Sequence, residues 1–587
     1  MSTAPLPFQE VAGKKLNDEQ SAYLHGLFAG LANRGLKFTD IEADPTQPAE
    51  ADDEDLIFEE RVKRDLHPLD AYESFLEDAR DNRAPAKENV FRYKWNGLFF
   101  LAPASDQFMC RLRIPGGQVK SFQLRELAKI SQDLTTGYIQ ITTRANFQLR
   151  NFEPKNAPAL LDRIQAIGLT SRGSGADNIR NITCSPTAGF DPYELIDTLP
   201  LAKELGQYII NHREFYNLPR KFNIAFDGGG LISSVEDTND IGLRAVKIAT
   251  GSEQIPAGVY FRVALGGATG HKSFASDAGV LVKPDEVIKV TAALTRVFIA
   301  NGNRSNRKKA RLKHLLEKWT LEQYVGETEK LLGYELIKAP LNAAGEYETE
   351  AKPMRTDVPH SHIGVFPQQQ SGMNYVGVGI PVGQITQKQM YRLADLADNY
   401  GSGEVRLTVW QNLVIPNVPD AYVETVKKAL VKTGLYWEQS NVKSGFIACT
   451  GSSYCKFASS NTKGDALKMM QYLDKKVKLD QPINVHLTGC PHSCAQHYMG
   501  DIGLLAAKVK VSGESVDGYH VFVGGGFGKN KKVGRQIFTG LTSDQTKLAL
   551  ETMFNAYLKH REPNEPFQAF TNRHDVDALQ GMFSNEE

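Results

Sequence analysis

The sequence has no net charge, no long hydrophobic run and few cysteines. Its 68 basic and 68 acidic residues cancel, so composition gives no electrostatic reason to bind nucleic acid or an anionic membrane. No apolar run approaches the roughly 18 residues that cross a bilayer, and the start of the chain lacks the basic and apolar regions of a secretory signal. Six cysteines among 587 residues do not form a disulfide-rich pattern and are typical of a reducing interior. We therefore expect a cytoplasmic protein of about three or four domains, with neither nucleic acid nor membrane as a partner.

A recognisable nucleotide-binding motif is also missing. The glycine-rich loop at residues 524–530 follows an apparent strand, but Val523 and Asn530 break the Walker pattern. Lys529 stands where the Rossmann fingerprint has its third glycine. The loop is either a flexible turn or a backbone nest for carboxylates. Because no nicotinamide or flavin site is visible, a redox reaction here would draw its electrons from another protein.

Four of the six cysteines fall in two short clusters, Cys449 with Cys455 and Cys490 with Cys494. Five residues separate the first pair and three separate the second, whereas zinc ribbons use a tighter Cys-x2-Cys spacing in both halves. Four thiolates with wider gaps suit a [4Fe–4S] cluster. The glycine and serine residues around them would let backbone N–H groups approach an anionic cluster. The alternative is four buried free thiols, since cysteine is often buried as a small hydrophobe.

Separated segments of the sequence repeat one another. The matching segments are 114–118 and 380–384, 142–146 and 408–412, and, after small slippage, 240–247 and 501–508. The first two pairs are both 266 residues apart, and such a constant register indicates an internal duplication. Each copy has a small β-α-β piece followed by a larger α+β piece, and two copies would pack about a pseudo-two-fold axis with a site between them. The single cysteines of the first copy, Cys110 and Cys184, are interpreted as structural.

The pattern of apolar residues predicts the local elements. Helical spacing occurs at residues 18–34, an acidic linker follows at 44–55, and residues 56–88 are again helical. In the first copy we expect strands at 93–101, 107–115 and 137–143, with an amphipathic helix at 124–134.

The first copy is rich in cations that alternate with apolar residues. A cation in a half-buried strand needs an anionic partner, because desolvating it unpaired costs on the order of several kcal/mol. The sequence offers no acidic motif to match them, so we expect a bound polyanion. A further basic run at residues 303–313, taken alone, is typical of a solvated helix face. The cations are Arg111, Arg113, Arg144, Arg150, Arg180, Arg220 and Lys221.

These motifs together resemble the sirohaem-dependent nitrite and sulfite reductase family, and within it the ferredoxin–nitrite reductases. The first copy carries Phe108-Met-Cys-Arg-Leu-Arg-Ile-Pro-Gly116, Asp177-Asn-Ile-Arg-Asn181 and Leu218-Pro-Arg-Lys-Phe-Asn223. The second carries Ala448-Cys-Thr-Gly-Ser452 and Thr488-Gly-Cys-Pro-His-Ser-Cys494. The resemblance extends over residues 90–560.

The resemblance implies an α+β fold. It would contain two tandem copies of a ferredoxin-like half-domain, each followed by a larger α+β domain for the sirohaem and the cluster, related by pseudo-two-fold symmetry. The expected divisions are an N-terminal helical extension with its acidic linker at 1–88, the first half-domain at 89–172, the first sirohaem and substrate domain at 173–352, the second half-domain at 353–438 and the cluster and sirohaem domain at 439–587.

The resemblance also implies a sirohaem coupled to a [4Fe–4S] cluster through a shared cysteine sulfur. By the family pattern the cluster ligands are Cys449, Cys455, Cys490 and Cys494, and Cys494 is also the axial ligand of the haem iron. Sirohaem carries many carboxylates, which would form charge-assisted pairs with the cations of the first copy. The implied sirohaem-binding residues are Arg113, Thr142, Arg144, Gln148, Arg220, Arg304, Lys308, Arg311 and Cys494.

The implied reaction is the assimilatory six-electron reduction of nitrite to ammonium, with electrons delivered singly by ferredoxin to a monomeric enzyme. On the haem face away from Cys494, the family motif implies that Arg111, Arg180, Lys221 and Asn223 bind the substrate anion and supply protons. Two alternatives remain. One is a ferredoxin–sulfite reductase, which reduces sulfite to sulfide, and the other is a [4Fe–4S] electron carrier or scaffold without sirohaem.

Position 223 favours nitrite over sulfite. Sulfite reductases of the family carry Lys-x-Lys where this chain has Lys221-Phe-Asn223. Sulfite is largely a dianion near neutral pH and nitrite is a monoanion, so neutral Asn223 lowers the positive charge of the site by one and keeps a hydrogen-bond donor. Near a low-dielectric cofactor, one charge is worth about a few kcal/mol in differential binding. We therefore expect nitrite to be the better substrate.

Overall fold

The computed structural model describes residues 10–11, 14–15, 21, 56–339, 341, 350–351 and 360–584. The chain divides into two units, Met1–Glu50 and Ala51–Glu587. In the smaller unit, strands Glu10–Val11 and Lys14–Lys15 form an antiparallel pair. Most of the helix predicted at residues 18–34, and the linker predicted at 44–55, lie outside the described residues. All predicted site residues belong to the larger unit.

The N-terminal part of the larger unit is helical, as predicted for residues 56–88. Its helices are Phe58–Asp65, Tyr72–Arg80 and Lys87–Arg92. The first helix packs against the first copy, because the ammonium of Lys63 donates to the carbonyl of Leu218 at 3.1 Å. This helix is therefore part of the first copy's surroundings rather than a detached segment.

The strand predicted at residues 93–101 forms only near its end. Residues Tyr93–Asn96 are a 3-10 helix, and the strand is Leu98–Phe100. Trp95 is fully buried, and its indole N–H donates to the carbonyl of Tyr216 at 2.8 Å. Gly97 then turns the chain at a φ of 75°, a backbone conformation that glycine adopts without strain. Docking of one indole ring thus overrides a strand-like sequence.

Each ferredoxin-like half-domain is built on a five-stranded antiparallel sheet, and each sheet takes one edge strand from the other copy. The first sheet has the order Gln384–Thr386, Tyr138–Ile141, Phe147–Phe152, Phe108–Arg111 and Leu98–Phe100. The second has the order Gly364–Pro367, Met373–Val378, Leu413–Pro419, Glu404–Leu407 and Gln118–Lys120. The two copies are therefore interlocked by the exchange of Gln384–Thr386 and Gln118–Lys120.

The helices of the two half-domains share one hydrophobic core. Helices Ser121–Leu134 and Gln387–Tyr400 pack against each other. Leu127 and its repeat partner Leu393 are both fully buried in this core. Helices Ala157–Ala166 and Val423–Lys432 occupy matching positions in the two copies. The burial of repeated apolar positions explains why the duplication is visible in the sequence.

The two larger domains have the same strand plan, in which a parallel pair leads into an antiparallel hairpin. In the first copy the strands are Ile224–Asp227, Ile241–Ile248, Gly258–Leu265, Ser276–Val282, Ile337–Lys338 and Glu350–Ala351, with helices Leu199–Asn211, Val287–Asn301, Leu312–Leu315 and Leu321–Leu332. In the second they are Phe446–Ala448, Val485–Thr488, Ile502–Val511, Glu514–Val523 and Arg535–Thr542, with helices Thr462–Lys476, Ser543–His560, Phe567–Arg573 and Val576–Phe583. The predicted α+β duplication is confirmed. None of the helices in the described ranges is long and apolar enough to cross a membrane.

Candidate functional site

Two parallel strands bring the cysteine loops together. Strands Phe446–Ala448 and Val485–Thr488 are paired in parallel, so their carboxyl ends meet at one edge of the sheet. Cys449 follows the first strand and Cys490 lies just beyond the second. The N–H of Gly489 donates to the Sγ of Cys449 at 3.1 Å, which is the kind of backbone approach that an anionic sulfur site uses.

The four predicted ligand thiols share one electrostatic environment. The pKa of the Cys490 thiol is raised to about 12, mainly by burial, and Cys494, Cys455 and Cys449 contribute to the rise. Burial also raises the pKa of Cys449, with Cys494 the next contributor. In the described part of the chain, no three His, Cys, Asp or Glu side chains are placed to hold a metal ion together. A four-iron cube takes each thiolate at a different iron, so its ligands need not converge on one point.

A cavity of about 770 Å³ lies between the two copies. The second copy contributes Cys449, Cys494, Thr450, Lys463 and Gln411 to its wall. The first copy contributes most of the predicted cations and polar residues: Arg111, Thr142, Arg144, Gln148, Arg180, Arg220, Lys221, Asn223, Lys308 and Arg311, together with Phe99 and Arg307. The hydroxyl of Thr143 donates to the carbonyl of Cys494 at 2.8 Å, which ties the first copy to the loop of the second.

Arg111 and Arg180 are held by backbone carbonyls. The guanidinium of Arg111 lies 4.6 Å from the centre of the Phe99 ring, and burial lowers its pKa while Cys494 opposes that effect. Arg180 donates to the carbonyls of Ser174 and Ala176, each at 2.8 Å. Burial, followed by the neighbouring Arg111, lowers the pKa of Arg180. These contacts fix the two cations in place without neutralising them.

Lys221 and Asn223 follow on the same loop. Burial lowers the pKa of Lys221 to about 7, Arg311 adds to this effect and Cys494 opposes it. The backbone N–H of Asn223 donates to Asp240 at 2.9 Å, while its side-chain Oδ1 is buried without a hydrogen-bond partner in the protein. The backbone of Asn223 is therefore anchored, and its side-chain Oδ1 can still accept a hydrogen bond from a group in the cavity.

The expectation that the first-copy cations lack acidic partners is wrong for Arg220, and the solvated face predicted for the run at residues 303–313 is wrong for Arg307 and Arg311. Arg311 makes two hydrogen bonds to the buried carboxylate of Asp240, at 2.7 and 3.2 Å. Arg307 makes two bonds of 2.8 Å to the buried Asp177, and Arg220 lies 3.8 Å from the same carboxylate. These acids lie behind the wall and orient the cations that line it.

The lining still suits an anionic occupant with several charges. No Asp or Glu is among the described residues that line the cavity, whereas nine Arg and Lys residues are. Burial lowers the pKa of Arg144 to about 10, and neighbouring Arg311 adds to this effect. The Nε of Arg180 is buried without a partner in the protein. A buried surplus of cations with unused donors fits a polycarboxylate such as sirohaem.

Models of protein families match most of the chain. The model described as the nitrite and sulphite reductase 4Fe-4S domain matches residues 175–336 and 441–580. The model described as the nitrite/sulfite reductase ferredoxin-like half domain matches residues 102–167 and 366–433. The chain belongs to the nitrite and sulphite reductase family.

Individual members of the family are similar over nearly their whole length. The ferredoxin–nitrite reductase of Synechococcus elongatus is 38% identical over 77% of this chain and 86% of its own. The assimilatory ferredoxin-dependent nitrite reductase of Haloferax mediterranei is 29% identical over 89% of this chain and 91% of its own. The solved structure of the Mycobacterium tuberculosis NirA protein superposes with a TM-score of 0.81 at 28% identity, covering 89% of this chain and 97% of that one. The resemblance inferred from the sequence motifs is confirmed.

Four residues that the family motif implies as site residues are not among the described residues that line the cavity: Arg113, Arg304, Cys455 and Cys490. Arg113 is buried and donates to the carbonyls of Arg172, Gly173 and Ile179, at 2.9, 2.7 and 2.5 Å. It therefore holds the loop that carries Arg180. Arg304 donates to Glu60 at 2.9 Å and to the carbonyl of Asn217 at 2.7 Å. The structure thus gives both guanidinium groups partners within the protein.

Sequence reasoning missed Lys463, Arg307 and Phe99 as residues of the cavity wall. Lys463 lies in the first turn of helix Thr462–Lys476, and a lysine on a helix is ordinarily solvated. Arg307 lies in the basic run that, taken alone, was interpreted as a helix face. The sequence signal that could have identified Lys463 is its position eight residues after Cys455. A residue so near a cysteine cluster in the sequence can return to it in the fold.

Proposed function

We propose that this chain is a ferredoxin-dependent nitrite reductase that reduces nitrite to ammonium. One cavity, lined by cations of the first copy and by Cys449 and Cys494 of the second, carries the proposal. The names of the relatives from Synechococcus elongatus and Haloferax mediterranei support nitrite as the substrate and ferredoxin as the donor. Their names do not favour the sulfite alternative.

The cavity residues fit a sirohaem beside a [4Fe–4S] cluster. We assign the cluster to Cys449, Cys455, Cys490 and Cys494, with Cys494 shared with the haem. When bound, the two cofactors would pass on the electrons from ferredoxin and would offer an iron at which the anion is reduced. Arg144, Arg220, Lys308 and Arg311 would hold the carboxylates, and Thr142 and Gln148 would donate hydrogen bonds to them. Arg113 and Arg304 have a different part in this proposal, because each positions a neighbouring segment of the wall.

Arg111, Arg180, Lys221 and Asn223 are assigned to the substrate. The two guanidinium groups hold the anion by charge and by directed N–H donors. Because burial lowers the pKa of Lys221 to about 7, its ammonium can release a proton and regain one near neutral pH. Removal of each oxygen as water consumes two protons, so a group that titrates in this range suits the reaction. Asn223 donates a hydrogen bond to the anion without adding a charge.

The experiment that tests the function is steady-state reduction of nitrite and sulfite side by side, with reduced ferredoxin as donor. We expect the higher kcat/KM for nitrite, and we expect Asn223→Lys to move the ratio toward sulfite by about 10- to 100-fold. Asn555→Lys, which adds the same charge at an exposed position of helix Ser543–His560, is the matched control and should leave the ratio unchanged. A higher kcat/KM for sulfite in the unmodified protein would establish the sulfite reductase instead. An absorption spectrum without sirohaem bands would establish the electron carrier.

The remaining features of the proposal concern the form and location of the enzyme. We propose a monomer with divisions at 1–88, 89–172, 173–352, 353–438 and 439–587, and the matched family ranges each fall inside one division. We propose a cytoplasmic location because the six cysteines are free thiols and the ligand thiols must stay reduced to bind iron. Size-exclusion chromatography and cell fractionation test these two statements.

A further inference from the structure

Lys463 is a buried cation directly beside the cysteine loops. It lies in the first turn of helix Thr462–Lys476 and is only 8% exposed. Its ammonium donates to the carbonyl of Ala448 at 3.2 Å and to the carbonyl of Val382. Ala448 immediately precedes Cys449, so the charge lies one peptide unit from a proposed cluster ligand.

The residue before Lys463 holds the same loop. The hydroxyl of Thr462 donates to the carbonyl of Cys449 at 2.8 Å and lies 3.6 Å from its Sγ. The first turn of this helix therefore clamps the Cys449 segment from two adjacent positions. Val382, the second acceptor of Lys463, has a left-handed φ of 46°, which costs free energy in a β-branched residue and persists only where the surroundings hold it.

The charge of Lys463 has no carboxylate partner in the described part of the chain. Within those residues its ammonium donates only to carbonyl oxygens. Burial lowers its pKa to about 7, Arg150 adds to this effect, and Cys449 opposes it. A thiolate-ligated iron–sulfur cluster is anionic, so it would supply the opposite charge that this ammonium otherwise lacks.

We propose that Lys463 is a positioning and electrostatic residue for the [4Fe–4S] cluster, and that its positive charge raises the reduction potential of that cluster. The proposal rests on the proposed function, because it requires the cluster at Cys449, Cys455, Cys490 and Cys494. Each electron accepted from the donor protein adds one negative charge beside the ammonium. The fixed cation therefore stabilises the reduced cluster more than the oxidised one, and the potential of a cluster depends on such nearby charges.

The test is a redox titration of the cofactor-loaded protein, followed by the electron paramagnetic resonance signal of the reduced cluster. Lys463→Gln keeps a hydrogen-bond donor and removes the charge, whereas Lys463→Met removes both. We expect both variants to lower the midpoint potential of the cluster by about 59 mV or more, which is a tenfold change in the equilibrium constant for one electron. Working at about pH 6, below the pKa of Lys463, keeps the unmodified side chain protonated. Lys468→Met, at an exposed position of the same helix, is the matched control and should leave the potential unchanged.

The outcomes separate this proposal from the function itself. An unchanged potential in Lys463→Gln, or the same shift in Lys468→Met, would overturn the electrostatic role. If both neutral variants failed to take up iron and sulfide while Lys463→Arg took them up normally, the charge would be required for cluster assembly, and its role in setting the potential would be overturned. If the unmodified protein itself held no cluster, that result would contradict the proposed function, and with it the role of Lys463 that rests on it.

Discussion

The two copies build the same turn at residues 142–146 and 408–412 and place different side chains on it. In the first copy the hydroxyl of Thr142 accepts from the N–H of Arg144 at 3.2 Å, and in the second Thr408 accepts from Trp410 at the same distance. Arg144 lines the cavity. Trp410 is buried against Phe527, with ring centres 4.9 Å apart. One side of the pseudo-two-fold axis is therefore open and cationic, and the other is filled.

A second pair of equivalent residues shows the same divergence. The N–H of Asn223 donates to Asp240, and the N–H of Asn484 donates to Asp501, both at 2.9 Å. Asp240 is neutralised by Arg311. Asp501 is paired with no cation among the described residues, and burial raises its pKa to about 7. The duplicated scaffold has kept its backbone geometry, and a few side chains decide which half holds charge.

The largest expected effect comes from the cysteine loops, which only the second copy has. Cys494→Ser should abolish cluster function and the coupling to haem, so nitrite reduction should fall to background. Cys184→Ser, in the first copy, should retain both cofactors because this thiol is buried away from the cavity wall. Iron content and the visible spectrum measure both results. Normal spectra in Cys494→Ser would contradict the assignment.

Exchanging the residues at positions 144 and 410 tests the difference between the two copies directly. Arg144→Trp should fill the cavity and remove a cation, so we expect cofactor uptake and kcat/KM to fall at least about 100-fold. Trp410→Arg should bury an unpaired charge and destabilise the protein by about 3–5 kcal/mol. Cofactor content and urea denaturation separate the two results. A stable Trp410→Arg variant would show that the second half is less tightly filled than the structure indicates.

The paired aspartates allow a finer test of charge. Asp240→Asn leaves Arg311 without its buried counter-ion, which should cost about 3–5 kcal/mol of unfolding free energy. Asp501→Asn leaves no cation unpaired, so its cost should be below about 1 kcal/mol. Equal losses in chemical denaturation would mean that the two carboxylates have equivalent surroundings.

The last expected effect is a pH dependence of stability to which Asp501 contributes. Its pKa is raised from the ordinary value of 3.8 to about 7, so the folded state binds the proton more tightly than the unfolded chain does. The contribution to stability is fully present below about pH 4 and is lost as pH rises through about 7. Asp501→Asn should remove this part of the pH profile, measured as unfolding free energy between those limits. An unchanged slope would mean that the carboxyl is ionised in the fold.

The duplication and the cysteine loops could both be predicted from the sequence. Repeats such as Leu127 and Leu393 are visible because both are buried in one core, which restricts both positions to apolar residues. Long-range ion pairs could not be predicted in the same way. Asp177 and Arg307 are 130 residues apart, and no local pattern connects them.

The same limit applies to Arg113 and Trp95. Arg113 alternates with apolar residues in the manner of a ligand-binding cation, but the carbonyls that it satisfies come from the loop at 172–179. Trp95 lies in a strand-like run and is drawn into a helical turn by the carbonyl of Tyr216. In both cases the deciding partner is distant in sequence, and only the folded chain brings the two together.

The strand exchange between the half-domains determines the order in which the nascent chain can fold. Strand Tyr138–Ile141 pairs with Gln384–Thr386, so its outer edge stays unpaired until nearly 250 further residues have left the ribosome. An unpaired edge invites pairing with another chain. The cysteine loops emerge later still, so the cationic half exists before the four proposed ligand thiols are available to it. We therefore expect the nascent chain to need shielding of that edge, and we expect cofactor insertion to follow the completion of both halves.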